Sequence, residues 1–256
     1  MHLISVIIPV FNESENIRHC YEEITKCLDV YAGRYEYEII FMDNRSIDDS
    51  YQILCGIAND DGRVRAVRFS RNFGYQRSIA TGYFLSKGDA VIQIDCDLQD
   101  PPSIIHKFLD KWHEGYEVVY GIRQRRDESW LIEKTRKLFY RLINYLAEDH
   151  LPCDAGDFRL VDRKAVDVLK GLYDANPYIR GSIASFGFKQ LGIPYDRRGR
   201  QLGSSKFGLR ELFGLAVDGI LNHSIVPLRL ATFTGLFIAG FLVLYVGFLG
   251  VIKFLF

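Results

Sequence analysis

The chain of 256 residues is 48% hydrophobic, and its 32 lysines and arginines balance its 32 aspartates and glutamates. This length is enough to bury a substantial core. No basic run with interleaved aromatic residues occurs, so we expect no nucleic-acid partner. The five cysteines form no Cys-x-x-Cys pair, which argues against a disulfide framework or a zinc site and for a reducing compartment.

The first half of the chain predicts strands that alternate with helices. Apolar, β-branched runs predict strands at 3–10, 37–43, 63–69, 89–95 and 117–121. Apolar residues at helical spacing predict helices around 17–31 and at 47–59, 75–86 and 101–114. This alternation is typical of βαβ units, so we expect an α/β fold with a doubly wound, mostly parallel sheet. Ligands of such sheets bind beyond the carboxyl ends of the strands.

Two of the predicted helices follow turns that contain capping residues. Asn12 is expected to cap the helix after the first strand, with Glu15 completing a capping box. Ser46 is the expected cap of the helix at 47–59, with Asp49 three residues on. Asp43 closes the second strand, where a carboxylate can accept hydrogen bonds from a base N–H or from ribose hydroxyls, or can serve only as a turn residue.

In the second half of the chain the predicted strands and helices no longer alternate regularly. This half predicts a long helix at 130–148, a strand at 157–161, a helix at 163–170 and an edge strand at 187–194. A loop rich in glycine and arginine at 197–206 then precedes an amphipathic helix from Leu209 to Asn222. Ahead of an apolar span, such a helix is expected to lie in the membrane interface, the alternative being a helix packed on the domain.

The C-terminal region contains a candidate membrane span. The 23 residues from Leu230 to Ile252 carry no charge, and as a helix they cover about 35 Å, against about 30 Å for a hydrocarbon core. The rival reading is a buried helix of a soluble domain, but few such helices run so long without a charge. Arg210 and Arg229 precede the span and Lys253 follows it, which places the N-terminal part in the cytoplasm. We read no signal peptide at the N-terminus.

An acidic segment follows the fourth predicted strand. Strand alternation points Asp95, Asp97 and Gln99 to one side. Two carboxylates and an amide oxygen suit Mg²⁺ or Mn²⁺, particularly where a diphosphate supplies the remaining oxygens, although an acidic turn that merely ends a strand has the same composition. Neither a Gly-x-Gly-x-x-Gly motif after the first strand nor a Walker-type loop occurs, so dinucleotide oxidoreductases and P-loop proteins lose support.

Four segments together resemble a known family. They are Pro9-Val10-Phe11-Asn12-Glu13, Asp43-Asn44-Arg45-Ser46-Ile47-Asp48, Ser70-Arg71-Asn72-Phe73-Gly74 and Asp95-Cys96-Asp97-Leu98-Gln99-Asp100-Pro101-Pro102. In this order they resemble the inverting GT-A-type glycosyltransferases of family 2, and within it the polyprenyl-phosphate branch that includes dolichyl-phosphate mannose synthases and bactoprenol glucosyltransferases. The resemblance covers essentially the whole chain and includes the pattern Arg-x-x-Gly-x-Ser-Lys-Phe at 200–207.

The resemblance implies roles for the matching residues. The nucleoside would be held by Pro9, Phe11, Asn12, Glu13 and Asp43. Asp95 would touch the ribose or sugar side of the donor, and Asp97 and Gln99 would ligate the metal together with the diphosphate. The group that grips the acceptor phosphate would be Arg200, Ser205 and Lys206.

Asp157 matches the acidic position near the sugar and the acceptor. It is expected to act as a weak base, to bind a sugar hydroxyl, or only to pair with Arg159 or Arg180. A polyprenyl phosphate is mostly anionic at neutral pH because its second pKa is near 6, so it needs little help from a base. Arg123 and the neighbouring arginines at 125 and 126 are expected to form either a phosphate-contacting loop or a solvated charge run.

The expected protein is a metal-dependent enzyme that transfers a sugar from a nucleotide sugar, such as UDP-glucose, to undecaprenyl or dolichyl phosphate at the cytoplasmic face of the inner or plasma membrane. Its expected parts are a GT-A domain at 1–206, an interface helix at 207–226 and a transmembrane helix at 227–256. The alternatives are a polysaccharide-extending transferase, against which the absence of a Gln-x-x-Arg-Trp motif counts, and a catalytically silent nucleotide-binding scaffold.

The chain departs from the family pattern in two respects. Asn44 and Arg45 stand where the family usually has a second aspartate and a glycine, which leaves the base of the nucleotide open. Many members carry two C-terminal spans, whereas this sequence shows one. The oligomeric state, a homo-oligomer included, also stays open.

Overall fold

The computed structural model describes residues 1–123, 155–172, 177–197 and 226–255. These residues fall into two compact units, one built from the first three ranges and the other containing 226–255. The predicted helix at 130–148, the arginines at 125 and 126, the acceptor group Arg200, Ser205 and Lys206, and the predicted helix at 209–222 lie outside the described residues. The predicted domain boundaries at 206 and 226 therefore stay predictions.

The described part of the first unit is built on a seven-stranded sheet. Its strands are β1 (His2–Val10), β2 (Tyr35–Asp43), β3 (Val64–Arg68), β4 (Ala90–Gln93), β5 (Val118–Arg123), β6 (Ala155–Asp162) and β7 (Gln190–Tyr195). Their spatial order is β3-β2-β1-β4-β6-β5-β7. β6 runs antiparallel to both of its neighbours, and the other pairs are parallel. The predicted mostly parallel sheet is confirmed, with β7 as the expected edge strand.

Helices cover both faces of this sheet. They are α1 (Ile17–Asp29), α2 (Ser50–Asp60), α3 (Tyr75–Leu85), α4 (Ile105–His113), which a 3-10 turn at Pro102–Ile104 precedes, α5 (Arg163–Lys170) and α6 (Ile179–Ser185). One buried cluster joins the sheet to α1, α2 and α4, and the other joins it to α3, α5 and α6. β1 is apolar almost throughout because Ile4, Val6 and Ile8 face the first cluster while Ile7 faces the second.

Both predicted helix caps are wrong. α1 begins after Asn16 and α2 after Asp49, and neither of these residues makes a side-chain capping hydrogen bond. Asn12 and Ser46 instead join the two turns to each other. The backbone N–H of Asn12 donates to Oγ of Ser46 at 2.9 Å, and Oδ1 of Asn12 accepts from the N–H of Ile47 at 2.8 Å. Tertiary contact between neighbouring turns thus replaces the local capping that the sequence pattern favoured.

The second unit contains helix α7 (Val226–Leu255), which includes the predicted span. From Arg229 to Leu255 it is long and apolar enough to cross a membrane, and it is the one helix among the described residues that passes this test of length and composition. Its large apolar side chains are exposed, Phe233 at 68% and Phe237 at 76%. An exposed apolar surface along a helix of this length is typical of a candidate membrane span.

Candidate active site

Three turns at one edge of the sheet contain residues with unusual backbone conformations. Asn12 follows β1, Arg45 follows β2 and Leu98 follows β4, and their φ values are 53°, 65° and 52°. These three strands are parallel neighbours, so their carboxyl ends meet at the same edge. Side chains other than glycine adopt positive φ at a cost, and such conformations cluster at functional sites. This edge is therefore the candidate active site.

Asp43 is a buried carboxylate at the end of β2. Its Oδ1 accepts a hydrogen bond from the N–H of Ser46 at 2.9 Å, and its Oδ2 lies 3.2 Å from Nε of Arg68 on β3. The Arg68 contact is an ion pair without hydrogen-bond geometry, so Oδ2 accepts no hydrogen bond within the described ranges. A buried acceptor in this state is suited to a donor on a ligand, such as a base N–H.

Asn44 joins the end of β2 to the loop that leads into α3. Its Nδ2 donates to Oδ1 of Asn72 at 2.8 Å, and its Oδ1 accepts from the N–H of Phe73 at 2.9 Å. Oδ1 of Asn72 also accepts from the N–H of Gly74 at 2.8 Å. An ionised aspartate, the usual family residue at 44, can accept but cannot donate to Asn72. Asn44, which departs from the family pattern, thus has a hydrogen-bond partner in Asn72 that an aspartate could not donate to. This partner was not predicted from the sequence.

The acidic segment lies in a turn rather than in the strand. β4 ends at Gln93, and Leu98 adopts a positive φ. Strand alternation therefore does not explain why Asp95, Asp97 and Gln99 share one side. The predicted alternation of exposed and buried residues is nevertheless present in the turn. Asp95, Asp97 and Gln99 are partly exposed, whereas the residues that alternate with them are buried: Cys96, Leu98 and Asp100. Oδ1 of Asp97 accepts from the N–H of Gln99 at 3.2 Å, which closes the turn.

Asp95 receives a short hydrogen bond. The hydroxyl of Tyr75, the first residue of α3, lies 2.5 Å from Oδ1 of Asp95. Burial, followed by the charge of Asp100, raises the pKa of Asp95 to about 7, against the lowering effect of the Tyr75 hydrogen bond. A cation or a hydrogen-bond donor that bound beside Asp95 would favour its ionised form.

The donor set of this loop fits a hard divalent cation. The carboxylate of Asp97 and the amide of Gln99 are oxygen donors on one partly exposed turn, the ligand type that Mg²⁺ and Mn²⁺ prefer. Across the ranges that the structure covers, no three Asp, Glu, His or Cys side chains converge as a complete protein cage. The arrangement suits a cation that shares its coordination sphere with substrate oxygens.

Asp157 lies on β6 in a two-point ion pair with Arg180 of α6. Its Oδ1 is 3.2 Å from Nε of Arg180, and its Oδ2 is 2.8 Å from Nη2. Burial acts to raise the pKa of Asp157, but Arg180 outweighs it with help from Arg159 and Arg123, so this pKa lies below its ordinary value. The pairing with Arg180, one of the alternatives for Asp157, is present in the structure, and the roles of Asp157 as a base or as a ligand of a sugar hydroxyl stay predictions. Its helix, α6, was not predicted from the sequence.

A second buried carboxylate, Asp100, collects three partners. The hydroxyl of Tyr195 donates to its Oδ1 at 2.5 Å, and Nη2 of Arg123 donates to its Oδ2 at 3.1 Å. Nε of Arg197 lies 3.5 Å from Oδ1. Arg123 was expected in a phosphate-contacting loop or in a solvated charge run, and the structure pairs it with Asp100 at 17% side-chain exposure, so the solvated run is wrong for this arginine.

The remaining predicted nucleoside residues lie at the end of β1. Pro9 belongs to the strand, and Phe11 is exposed in the turn after it. The N–H of Glu13 donates to Oγ of Ser50 at 2.9 Å, and its Oε2 accepts from Nδ2 of Asn16 at 2.6 Å. The structure therefore brings the β1 turn, Asp43 and the acidic segment to one edge.

This architecture is shared with solved glycosyltransferases. Glucosyl-3-phosphoglycerate synthase from Mycobacterium tuberculosis, solved with Mn²⁺, UDP and phosphoglyceric acid, has a TM-score of 0.56 at 20% identity, covering 86% of this chain and 76% of that one. The mannosyltransferase PcManGT from Pyrobaculum calidifontis, solved with GDP-Man and Mn²⁺, has a TM-score of 0.55 at 16% identity, covering 79% of this chain and 58% of that one. At these identities the likeness establishes the fold.

The sequence comparisons establish the family. The model described as Glycosyl transferase family 2 matches residues 5–169, and the chain belongs to this family. It is 40% identical over 248 residues to the uncharacterized glycosyltransferase YkcC of Bacillus subtilis, covering 94% of this chain and 76% of that protein. It is 36% identical over 243 residues to the bactoprenol glucosyl transferase of Shigella phage SfX, covering 94% of this chain and 79% of that protein.

Proposed function

We propose that this glycosyltransferase moves a hexose, in the first instance glucose from UDP-glucose, to a polyprenyl phosphate with inversion at the anomeric carbon. The observation that carries the proposal is the convergence of Asp43 and the turn of Asp95, Asp97 and Gln99 at one edge of the sheet. The similarity to a bactoprenol glucosyl transferase over 94% of the chain supports the choice of acceptor and sugar.

The donor is proposed to lie along this edge from β2 to the acidic turn. Oδ2 of Asp43 accepts a hydrogen bond from the base, and Asp95 faces the ribose or sugar side. Asp97 and Gln99 hold Mg²⁺ or Mn²⁺ together with oxygens of the diphosphate. When bound, this cation stabilises the charge of the leaving diphosphate, a Lewis-acid effect worth several kcal/mol.

The chemical step is proposed to be a single displacement. An anionic oxygen of the lipid phosphate attacks the anomeric carbon from the face opposite the diphosphate, and the electron pair of the breaking C–O bond leaves with the nucleoside diphosphate. Since the phosphate is largely ionised at neutral pH, no strong base is required. Asp157, whose pKa is held low by Arg180 against the effect of burial, is a weak base and is proposed to orient the sugar or the acceptor.

The acceptor side of the proposal rests on residues outside the described ranges. Arg200, Ser205 and Lys206 are proposed to hold the lipid phosphate by charge-assisted hydrogen bonds, which orient the attacking oxygen. Helix α7 is proposed to anchor the enzyme, with the catalytic unit in the cytoplasm. An anchored enzyme keeps its site near the phosphate of a lipid that never leaves the bilayer.

The test is radiolabelled sugar transfer into detergent-extracted undecaprenyl phosphate. UDP-glucose, UDP-GlcNAc and GDP-mannose are compared, each with Mg²⁺ or with EDTA. We expect label in the lipid phase from UDP-glucose, loss of label with EDTA, and a product whose anomeric configuration is opposite to that of the donor. Label in a polysaccharide fraction, or no label from any donor with a folded protein, would refute the proposed acceptor.

A further inference from the structure

Tyr75 stands at the junction of two parts of the candidate site. Nε2 of Gln93, at the end of β4, donates to the Tyr75 hydroxyl at 3.2 Å. The hydroxyl in turn donates to Oδ1 of Asp95 at 2.5 Å. Because an amide nitrogen only donates and an ionised carboxylate only accepts, the chain of hydrogen bonds runs from Gln93 through Tyr75 to Asp95 when Asp95 is ionised, the form that a bound cation or donor favours.

The backbone around Tyr75 is held from two sides. Before it, the Asn72 side chain accepts from both Asn44 and the N–H of Gly74. After it, α3 lies so close to the sheet that a Cβ on Gly82 would come within 2.7 Å of Cε of Met42 and 3.1 Å of Cβ of Ile7. A tyrosine at the first position of such a helix has little freedom to shift, which makes it suited to fixing the direction of a neighbouring carboxylate.

We propose that Tyr75 is a positioning residue for the sugar donor, which binds Oδ1 of Asp95 and thereby aims the other carboxylate oxygen at the ribose or sugar of the nucleotide sugar. The inference rests on the proposed function, because it takes Asp95 as the group that contacts the donor. Tyr75 itself touches no substrate in this account and acts through Asp95.

The Tyr75 hydroxyl keeps its proton at neutral pH. Burial, and then the charges of Asp95 and Asp157, raise the pKa of Tyr75 well above its ordinary value. The hydroxyl is therefore protonated at neutral pH, and its proton is available for the short bond to Asp95. Short bonds from a hydroxyl to a carboxylate are among the stronger hydrogen bonds in proteins.

The same helix offers a matched control. Tyr83 lies eight residues further along α3 and is fully buried, but its hydroxyl has no hydrogen-bond partner in the part of the chain that the structure describes. Tyr75→Phe and Tyr83→Phe each delete one hydroxyl from one tyrosine of α3. Only the first deletion removes a bond to Asp95, so the pair separates positioning from a general effect on helix packing.

The experiment measures donor KM, acceptor KM and kcat for both variants of the full chain in detergent, together with the Kd of UDP-glucose and of UDP in the presence of Mn²⁺. We expect Tyr75→Phe to raise the donor KM and the Kd of UDP-glucose about tenfold with acceptor KM unchanged, and Tyr83→Phe to match the wild type. In an Asp95→Asn background, Tyr75→Phe should have no further effect on the Kd of UDP-glucose.

An unchanged donor KM and Kd in Tyr75→Phe would overturn the inference, as would effects of Tyr75→Phe and Asp95→Asn that simply add. Equal losses in Tyr75→Phe and Tyr83→Phe would also overturn it, because they would indicate a packing effect. If the wild type transfers no sugar to the lipid, the proposed function fails, and the Kd values of UDP-glucose alone then decide the role of Tyr75.

Discussion

The hydroxyl of Tyr195 lies 2.5 Å from Oδ1 of Asp100, so the end of β7 is hydrogen-bonded to the loop that carries Asp97 and Gln99. The other oxygen of Asp100 accepts from Arg123 at the end of β5. Asp100 is 1% exposed, and its carboxylate joins two strand ends to the proposed metal loop. The geometry of that loop therefore depends on a residue that is proposed to contact neither the metal nor a substrate.

Asp100→Asn is expected to destabilise the protein strongly and to lower kcat. The substitution keeps the shape of the side chain but leaves Arg123 and Arg197 without their shared counter-charge. Breaking a buried ion pair on one side costs about 3–5 kcal/mol of unfolding free energy. Urea unfolding in detergent, followed by tryptophan fluorescence, measures this loss, and transfer assays measure the accompanying fall in kcat.

Tyr195→Phe is the control for this prediction. It removes the hydrogen bond to Asp100 and the 3.3 Å hydrogen bond from Nε of Arg123, but it leaves both ion pairs, so we expect a loss of about 1–2 kcal/mol. If the unfolding free energies of Asp100→Asn and Tyr195→Phe were equal, the charge of Asp100 would have no structural role.

Arg45→Gly is expected to stabilise the protein. Arg45 is exposed and has a φ of 65°, a conformation that costs an L-residue about 1–2 kcal/mol and glycine almost nothing. Glycine also makes the unfolded chain more flexible, at about 0.5–1 kcal/mol, so the net gain in unfolding free energy is about 0.5–1 kcal/mol. For a protein of this size that corresponds to a rise in Tm of roughly 1–4 °C, measurable by calorimetry.

Arg45→Ala is the matched variant, because it removes the same side chain but keeps Cβ. We expect its Tm to stay within about 1 °C of the wild type, since it leaves the backbone strain in place. A rise in Tm for alanine equal to that for glycine would mean that the arginine side chain, and not the backbone conformation, is unfavourable.

The sheet could be predicted from the sequence because strands buried on both faces appear as continuous apolar runs. β1 and the second half of β2 are such runs, and each strand was predicted to within two residues of its observed start. The antiparallel direction of β6 could not be predicted, since direction leaves no trace in the local pattern. The short helix α6 was missed because its seven residues are too few to show a clear helical period.

The acidic turn of the candidate site could also be predicted, since its residue types stand next to each other in the sequence. Its supports could not. Tyr75 and Asp95 are 20 residues apart, and Asp100 and Tyr195 are 95 apart, so only the folded chain brings them together. The predicted caps at Asn12 and Ser46 are wrong for the same reason, since both residues make hydrogen bonds to a part of the chain that is distant in sequence. Local sequence rules assign such side chains to helix ends.

Arg180→Gln tests the electrostatics of Asp157 through pH. The pKa of Asp157 is lower in the folded protein than in the unfolded chain. The ion pair therefore contributes its full stabilisation at pH values above the pKa of the unfolded chain, about 3.9, and this contribution is lost as the pH falls through the pKa of the folded protein. In Arg180→Gln the effect of burial on Asp157 is no longer offset by Arg180, so the pKa of Asp157 is higher in the variant than in the wild type. We expect the Tm difference between wild type and Arg180→Gln to be largest at neutral pH, to shrink as the pH falls through the pKa of Asp157 in the variant, and to be lost only below about pH 4. A difference that vanishes between about pH 7 and about pH 6 would point to another group, such as a histidine.

Asp97→Asn tests the proposed metal site. The amide is a weaker ligand than the carboxylate and carries no charge, so the cation and the diphosphate lose a shared anchor. We expect kcat to fall by about a hundredfold or more, with the Mg²⁺ concentration for half-maximal activity raised, while the Tm without metal stays within about 1 °C of the wild type. Asp167→Asn, an exposed aspartate on α5 far along the chain from the turn, is the control and should retain full activity. Near-normal Mg²⁺-dependent turnover in Asp97→Asn would show that Asp97 is not a metal ligand. Gln99 alone is too poor a ligand to hold the cation, so the metal site would then lie elsewhere in the chain.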